Sequence, residues 1–234
     1  MPAPLTNLYP GVSVGNAGLG LELPLYDPLR HVLFFDDFYE YVAANWTMTE
    51  TQAGATQALT SGHGGLLLLT NSAADDDLVS LQYGTTDFAF AATRKAWIET
   101  RFQCSEATQV DLFIGLAATD TSPIASAPTD YVAFTKDDGA TAINLKTVGS
   151  SASIYTASGI GTLAAATDIK LAMSYDGNGN VAVYVNDVKV ASQSAAFASL
   201  LPSAVLRPTI AIQNGDGNAR TLTIDYLLVM MERA

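Results

Sequence analysis

The chain has 234 residues, 49% hydrophobic and 15% charged, with eleven Lys and Arg against twenty-three Asp and Glu for a net charge of −12. It is too apolar for a disordered segment, and long enough to bury roughly 70–75% of its unfolded surface without needing a metal or disulfide. The acidic balance excludes phosphate-backbone recognition, which rests on Lys and Arg, and electrostatic attachment to anionic lipid.

Residues 1–33 differ from the rest. "MPAPLTNLYPGV" has no basic region and no continuous apolar run, so no secretory signal is read there, and synthesis in a cytoplasm is expected. Pro2, Pro4, Pro10, Pro24 and Pro28, with four glycines between them, forbid a stable helix and interrupt any long strand. Leu5, Leu8, Tyr9, Val12, Val14, Leu19, Leu21, Leu23, Leu25 and Tyr26 are nevertheless too apolar for a solvated linker. The segment reads as an extended arm that needs a surface to lie on. Either it wraps its own domain or it reaches a neighbouring subunit, and these ten side chains are the candidate interaction residues.

From Phe34 to the end, residues 34–234, short apolar stretches alternate with turn signals. "HGGLLLLTNS" and "DDLVSLQYG" are strand-length. In "KAWIETRFQCSEATQVDLFIGLA" two alternating strands are joined by a short polar turn. Cys104 lies on one face with Ile98, Thr100 and Phe102 and reads as a buried inert thiol, and a lone cysteine excludes an internal disulfide. Period-two alternation places Ile169, Leu171, Met173 and Tyr175 on one face, Val181, Val183 and Val185 on another, and Leu222, Ile224, Tyr226 and Leu228 on a third. "DDG" at 137–139, "DGNGN" at 176–180 and "NGDGN" at 214–218 read as hairpin turns. Ser192 to Pro202 is the best helix candidate. Many strands, few helices and no βαβ alternation predict an all-β, two-sheet antiparallel sandwich behind an extended N-terminal arm.

The order of "FFDDFYEYVAANWTMTETQ", "KAWIETRFQCS…VDLFIGLA", "KLAMSYDGNGNVAVYVNDVKVAS" and "LTIDYLLVMM" resembles the concanavalin A-like lectin/glucanase jelly rolls, laminin-G-like modules included. The resemblance spans Phe34 to Met231 and implies a jelly roll, a fold that hosts lectins, hydrolases and virion proteins alike. In its near lack of cysteines, one in the whole chain, and its Ala, Thr and Gly content, the chain also resembles structural proteins of tailed bacteriophages, capsid decoration or cement proteins among them.

Glucanases of this superfamily carry Glu-x-Asp-x-Glu on one strand, and a retaining mechanism needs two carboxyls about 5–5.5 Å apart. The six glutamates here are Glu22, Glu40, Glu50, Glu99, Glu106 and Glu232, and no two stand four apart in a strand. Glu99 shares its face with Trp97, Arg101 and Gln103, and Asp111 is alone on its strand. No catalytic residue is therefore expected, and the pair of strands reads as a wall of the sandwich. Asp75, Asp76 and Asp77 read as a solvated loop, and the Gly-Asn turns need no calcium. His31 and His63 are too isolated for zinc, and "GNAGLG" lacks the strand, helix and Lys of a phosphate loop. No cofactor or metal is expected. Trp46, Trp97, Tyr83, Tyr131 and Tyr155 could serve sugar binding, with Trp46 and Trp97 better assigned to packing.

The resemblance and the composition together imply a virion structural protein. The expectation is a decoration or cement protein on the outer surface of a phage head, homotrimeric and bound to the major capsid protein. The alternative is a non-catalytic, lectin-like carbohydrate-binding module of a phage tail or fibre.

Overall fold

The computed structural model describes residues 27–62, 64–85, 87–193 and 201–233. The ten candidate arm residues from Leu5 to Tyr26, and His63, lie outside the described residues. The expected sandwich is present as two antiparallel sheets. One runs β13 (Val188–Gln193), β12 (Val181–Val185), β11 (Ile169–Tyr175), β6 (Ala96–Cys104), β15 (Thr221–Glu232), β4 (Leu66–Thr70), β3 (Thr56–Thr60), and β1 (His31–Asp36) also pairs with β15. The other runs β10 (Ala152–Thr162), β9 (Ala142–Gly149), β8 (Tyr131–Lys136), β7 (Val110–Ala117), β14 (Arg207–Asn214), β5 (Leu78–Tyr83), β2 (Trp46–Glu50). The sandwich begins three residues before Phe34, because His31, Val32 and Leu33 pair with Glu232, Met231 and Met230.

Alternation fills the space between the sheets. Ala96, Ile98, Phe102 and Cys104 of β6 face Leu112, Ile114 and Leu116 of β7, with Leu171 and Met173, Val181 and Val183, and Ile210 and Ile212 in the same core. Cys104 is buried, as its face requires, and burial pushes its thiol pKa up. Trp46 packs edge-on against Phe34 and Tyr83, ring centroids 6.1 and 5.1 Å away, which ties β1 of one sheet to β2 and β5 of the other.

Three local readings change. The strands of "KAWIETRFQCSEATQVDLFIGLA" are not a hairpin: β6 and β7 lie in opposite sheets, and Ser105 to Gln109 crosses between them. Glu106 closes that crossing by accepting the backbone N–H groups of Ala107 and Thr108 at 2.8 Å, which holds its carboxyl below the ordinary range. "NGDGN" likewise crosses between sheets, from β14 to β15, whereas "DDG" joins β8 to β9 and "DGNGN" joins β11 to β12 as hairpins. In β15 a bulge between Ile224 and Tyr226 inverts the alternation. Leu222, Ile224, Leu227 and Val229 enter the core, and Tyr226 and Leu228 turn to the outer face. Thr100 Oγ1 donates to the Tyr226 carbonyl at the bulge, 2.9 Å away. Of the helix candidate, Ser192 and Gln193 end β13, and residues 194–200 lie outside the described residues.

The loop of three aspartates is not uniformly solvated. Asp75 and Asp76 are exposed, but Asp77 is fully buried. Its carboxylate accepts the backbone N–H groups of Gln52 at 2.9 Å and Ser72 at 2.6 Å and the Thr51 hydroxyl at 3.0 Å. Asn71 and Asn214 fasten the same loop from inside, through Nδ2 bonds to Asp77 O and to Ser72 O and Ala74 O. Lys136 is another charge drawn inward, one period beyond Val132 and Phe134, where Nζ donates to the Thr108 and Val110 carbonyls. Burial pushes its pKa down, against the pull of Asp111 and Asp138.

Candidate functional site

The outer face of the eight-stranded sheet carries the densest polar chemistry among the described residues. On β6, period-two alternation points Trp97, Glu99 and Arg101 away from the core. Register sets Glu99 beside Leu228 of β15 and Ala172 of β11. Glu99 is buried, yet three donors reach its carboxylate: Trp97 Nε1 at 3.0 Å, Tyr226 Oη at 2.6 Å and Lys170 Nζ at 3.1 Å. Lys170 also pairs with Asp187 at 2.7 Å. Burial alone would lower the Lys170 pKa, but its bonds to Asp187 and Glu99 outweigh this and hold it above the ordinary value. Arg101 bridges Asp168 at 2.6 Å and Asp225 at 3.2 Å, and the Asp168 bond raises its pKa further.

This arrangement holds the Glu99 carboxylate in place. It is enclosed by an indole, a phenol and an ammonium, beside the apolar cluster of Trp97, Ala172, Ala182, Tyr184 and Met230. Trp97 is fully buried, as packing predicts, although in this outer layer and not in the core between the sheets. Sequence alternation alone puts Trp97 and Glu99 on one face. Tyr226 and Lys170 arrive from other strands, and the bulge that turns Tyr226 outward has no local signature.

The outer face of the seven-stranded sheet has a second apolar layer. Phe113 and Tyr131 pack edge-on at 5.3 Å, with Leu78, Ala133, Val148 and Ala211 around them. Ile124, from the connection between β7 and β8, packs against this layer. Gln82 anchors the same connection, donating to the Ala118 carbonyl at 3.2 Å and accepting the Asp120 N–H at 3.3 Å. Asp111 lines a small cleft of about 110 Å³ with Phe113, Tyr131, Lys136 and Lys146. Its carboxylate accepts the Asp138 N–H at 2.7 Å, and burial raises its pKa. Among the described residues the second carboxylate near Glu99 is Asp187, with the Lys170 ammonium paired to both at 3.1 and 2.7 Å, and Asp137 and Asp138 lie near Asp111.

The remaining candidates have structural employment. Asp176 accepts the N–H groups of Asn178 and Asn180 at 2.7 and 3.0 Å, which closes the "DGNGN" turn. Asp216 is held by Asn218 and Arg220. Tyr83 packs edge-on against Trp46, and Tyr155 packs partly buried against the core. Burial raises the pKa of Tyr41, Tyr131, Tyr155 and Tyr175, and for Tyr226 burial and the Glu99 carboxylate raise it strongly. A raised tyrosine contributes stability below its unfolded pKa of about 10, and that stability is lost as pH climbs through the folded value. Urea midpoints should therefore fall steeply above pH ~10, and Tyr226→Phe should make that fall shallower.

No protein-family model and no curated protein matches the sequence. Solved structures do match. The protein of unknown function SO2946 from Shewanella oneidensis MR-1 is 13% identical with TM-score 0.59, over 100% of this chain and 98% of its own. The Emp47p carbohydrate recognition domain is 14% identical with TM-score 0.60, over 87% and 98%. An endo-1,3-beta-glucanase from Streptomyces sioyaensis is 14% identical with TM-score 0.59, over 88% and 98%. These likenesses establish the concanavalin A-like lectin/glucanase jelly-roll fold, a fold shared by binding domains and enzymes.

Proposed function

We propose that this chain is a non-catalytic structural protein of a virion, a decoration or cement protein that binds the outer surface of a phage head and reinforces it. The observation that carries the reading is the apolar surface beside the chain's entry into the sandwich. Leu29, Leu33, Phe35 and Tyr39 are exposed by 86, 38, 53 and 77%, on or next to edge strand β1. A cluster of exposed large apolar groups marks an interaction surface. Residues 1–26, which precede it in the sequence, contain ten further large apolar residues. The enclosed Glu99 supports a face built to hold shape and not to turn over substrate.

On this reading the partners are further copies of the chain, as a homotrimer, and the major capsid protein. Removing Met1–Tyr26 is expected to leave the strand signal in circular dichroism and the melting temperature unchanged while weakening pelleting with capsid particles. Asp27 to Arg30 stays in that variant, because the Arg30 carbonyl accepts the Arg233 N–H at 2.7 Å. An unfolded deletion variant would place the arm in the domain's own core and overturn its inter-subunit role.

No hydrolysis of β-glucans, galactans or chitin is expected. Turnover that disappears in Glu99→Gln would contradict the non-catalytic reading. The alternative, a lectin-like module of a tail or fibre, has the likeness to carbohydrate recognition domains in its favour, and clear hits on a glycan array would select it.

A further inference from the structure

The sandwich is electrically polarised along its strands. At one end, Leu29, Arg30, Thr93, Arg94, Glu232 and Arg233 line an open cleft of about 580 Å³, with Lys95 alongside. Four of the chain's eleven basic residues therefore meet where β1 and β6 begin and β15 ends. Four acids stand beside them, each engaged: Glu232 accepts the Lys95 N–H at 2.8 Å, Asp27 accepts the Leu29 N–H at 3.0 Å, Asp87 pairs with Arg207 at 2.8 Å, and Asp176 accepts the Asn178 and Asn180 N–H groups at 2.7 and 3.0 Å. Arg30 is 82% exposed and pairs with Asp27 only at 3.7 Å. Arg233 spends Nε on the Pro28 and His31 carbonyls, which leaves its two terminal nitrogens. Among the described residues, Arg94, Lys95 and Arg233 have no carboxylate partner within 4.0 Å.

The opposite end is acidic. The loops after β4, β6, β8 and β14 converge there, tied by Asn214 N–H to Asp77 O, Gly139 N–H to Thr108 O and Gly215 N–H to Gln109 O. They present Asp75, Asp76, Glu106, Asp137, Asp138 and Asp216, against Arg220, Lys146 and the buried Lys136. β6 spans the interval with nine residues, roughly 30 Å at ~3.3 Å per residue.

We propose that the arginine-lined cleft is an interface that receives the acidic end of a second copy of this chain. The inference rests on the homo-oligomeric part of the proposed function and adds its geometry: a head-to-tail contact. A chain of net charge −12 repels its own copies on average, so association is favoured where this arginine corner, whose acids are already engaged, meets the acidic end. Such a heterologous contact closes into a ring when the rotation between copies allows it, a trimer included. The guanidinium groups suit carboxylates because each offers a planar fork of donors.

Sedimentation velocity of the full chain, without capsid, tests this. Association is expected at micromolar concentration in about 0.05 M salt and should weaken roughly tenfold in about 0.5 M salt, where such charges are screened. Arg30→Glu with Arg94→Glu, and separately Asp75→Lys with Asp138→Lys, should each sediment as the 24.6 kDa monomer with an unchanged melting temperature. Mixing the two variants should restore association in alternating, even-numbered species, because each junction between unlike variants joins opposite charges, whereas a trimer of the two would keep one like-charged junction. A native chain that is monomeric in low salt, association indifferent to salt, or a mixture that stays monomeric would overturn the proposal. Because no capsid is present, failure here leaves capsid binding untouched, and failure to bind capsid leaves this contact untouched.

Discussion

Trp97→Ala is expected to cost about 3–5 kcal/mol, the range for removing a large buried aromatic, and to lower the melting temperature by on the order of 10 °C. The indole is fully buried in the outer layer of the eight-stranded sheet, among Ala172, Ala182, Tyr184 and Met230. Ala172 and Ala182 are too small to move into the space it leaves. The variant also removes one of the three donors that hold Glu99, and a buried carboxylate that loses a donor adds its own desolvation cost. Trp97→Phe separates the two effects, since it keeps most of the volume and loses only the Nε1 donor. Its loss should be about 1–2 kcal/mol. Equal losses for the two variants in a urea melt would show that the hydrogen bond, and not the packing, dominates.

Asp77→Ala should be comparably damaging, about 3–5 kcal/mol, because it orphans two backbone donors and a hydroxyl at once. The Gln52 and Ser72 N–H groups and the Thr51 hydroxyl all end on this carboxylate, and Thr51 in turn accepts the Leu78 N–H at 2.8 Å. The loop that Asp77 fixes also carries the Asn71 and Asn214 bonds, so its loss loosens the junction of both sheets. Asp75→Ala, one turn away and exposed, serves as the control and should change stability by less than about 0.5 kcal/mol. A urea melt in which Asp77→Ala behaves like Asp75→Ala would return the whole run to the solvated loop that its composition suggests.

These two residues show where sequence reading reaches and where it stops. The core faces of β6, β11, β12 and β14 follow from period-two alternation, because a half-buried strand must put every second side chain inside. Cys104 is placed by the same rule. The rule fails at Asp225, where one extra residue in β15 exchanges Tyr226 and Leu228 for Leu227 and Val229. A bulge is decided by pairing with β6, which no window within β15 contains. Turn chemistry is likewise legible without its destination: "DGNGN" and "NGDGN" have similar residues, yet one joins neighbours in a sheet and the other crosses between sheets. Asp77 looks solvated because its run is acidic, and its donors come from Gln52, twenty-five residues earlier, as well as from nearby Ser72. The Glu99 site was half legible for the same reason. Trp97 and Glu99 are two residues apart on one strand, while Lys170 and Tyr226 are brought in by register.

Immunogold labelling of virions from the cells that produce this chain tests the central claim most directly. An antibody against the sandwich domain is expected to label the outside of intact heads at many sites per particle, and the label should fall when the chain lacking Met1–Tyr26 replaces the full one. Label confined to tails or fibres, or particles that carry none, would contradict a decoration protein of the head.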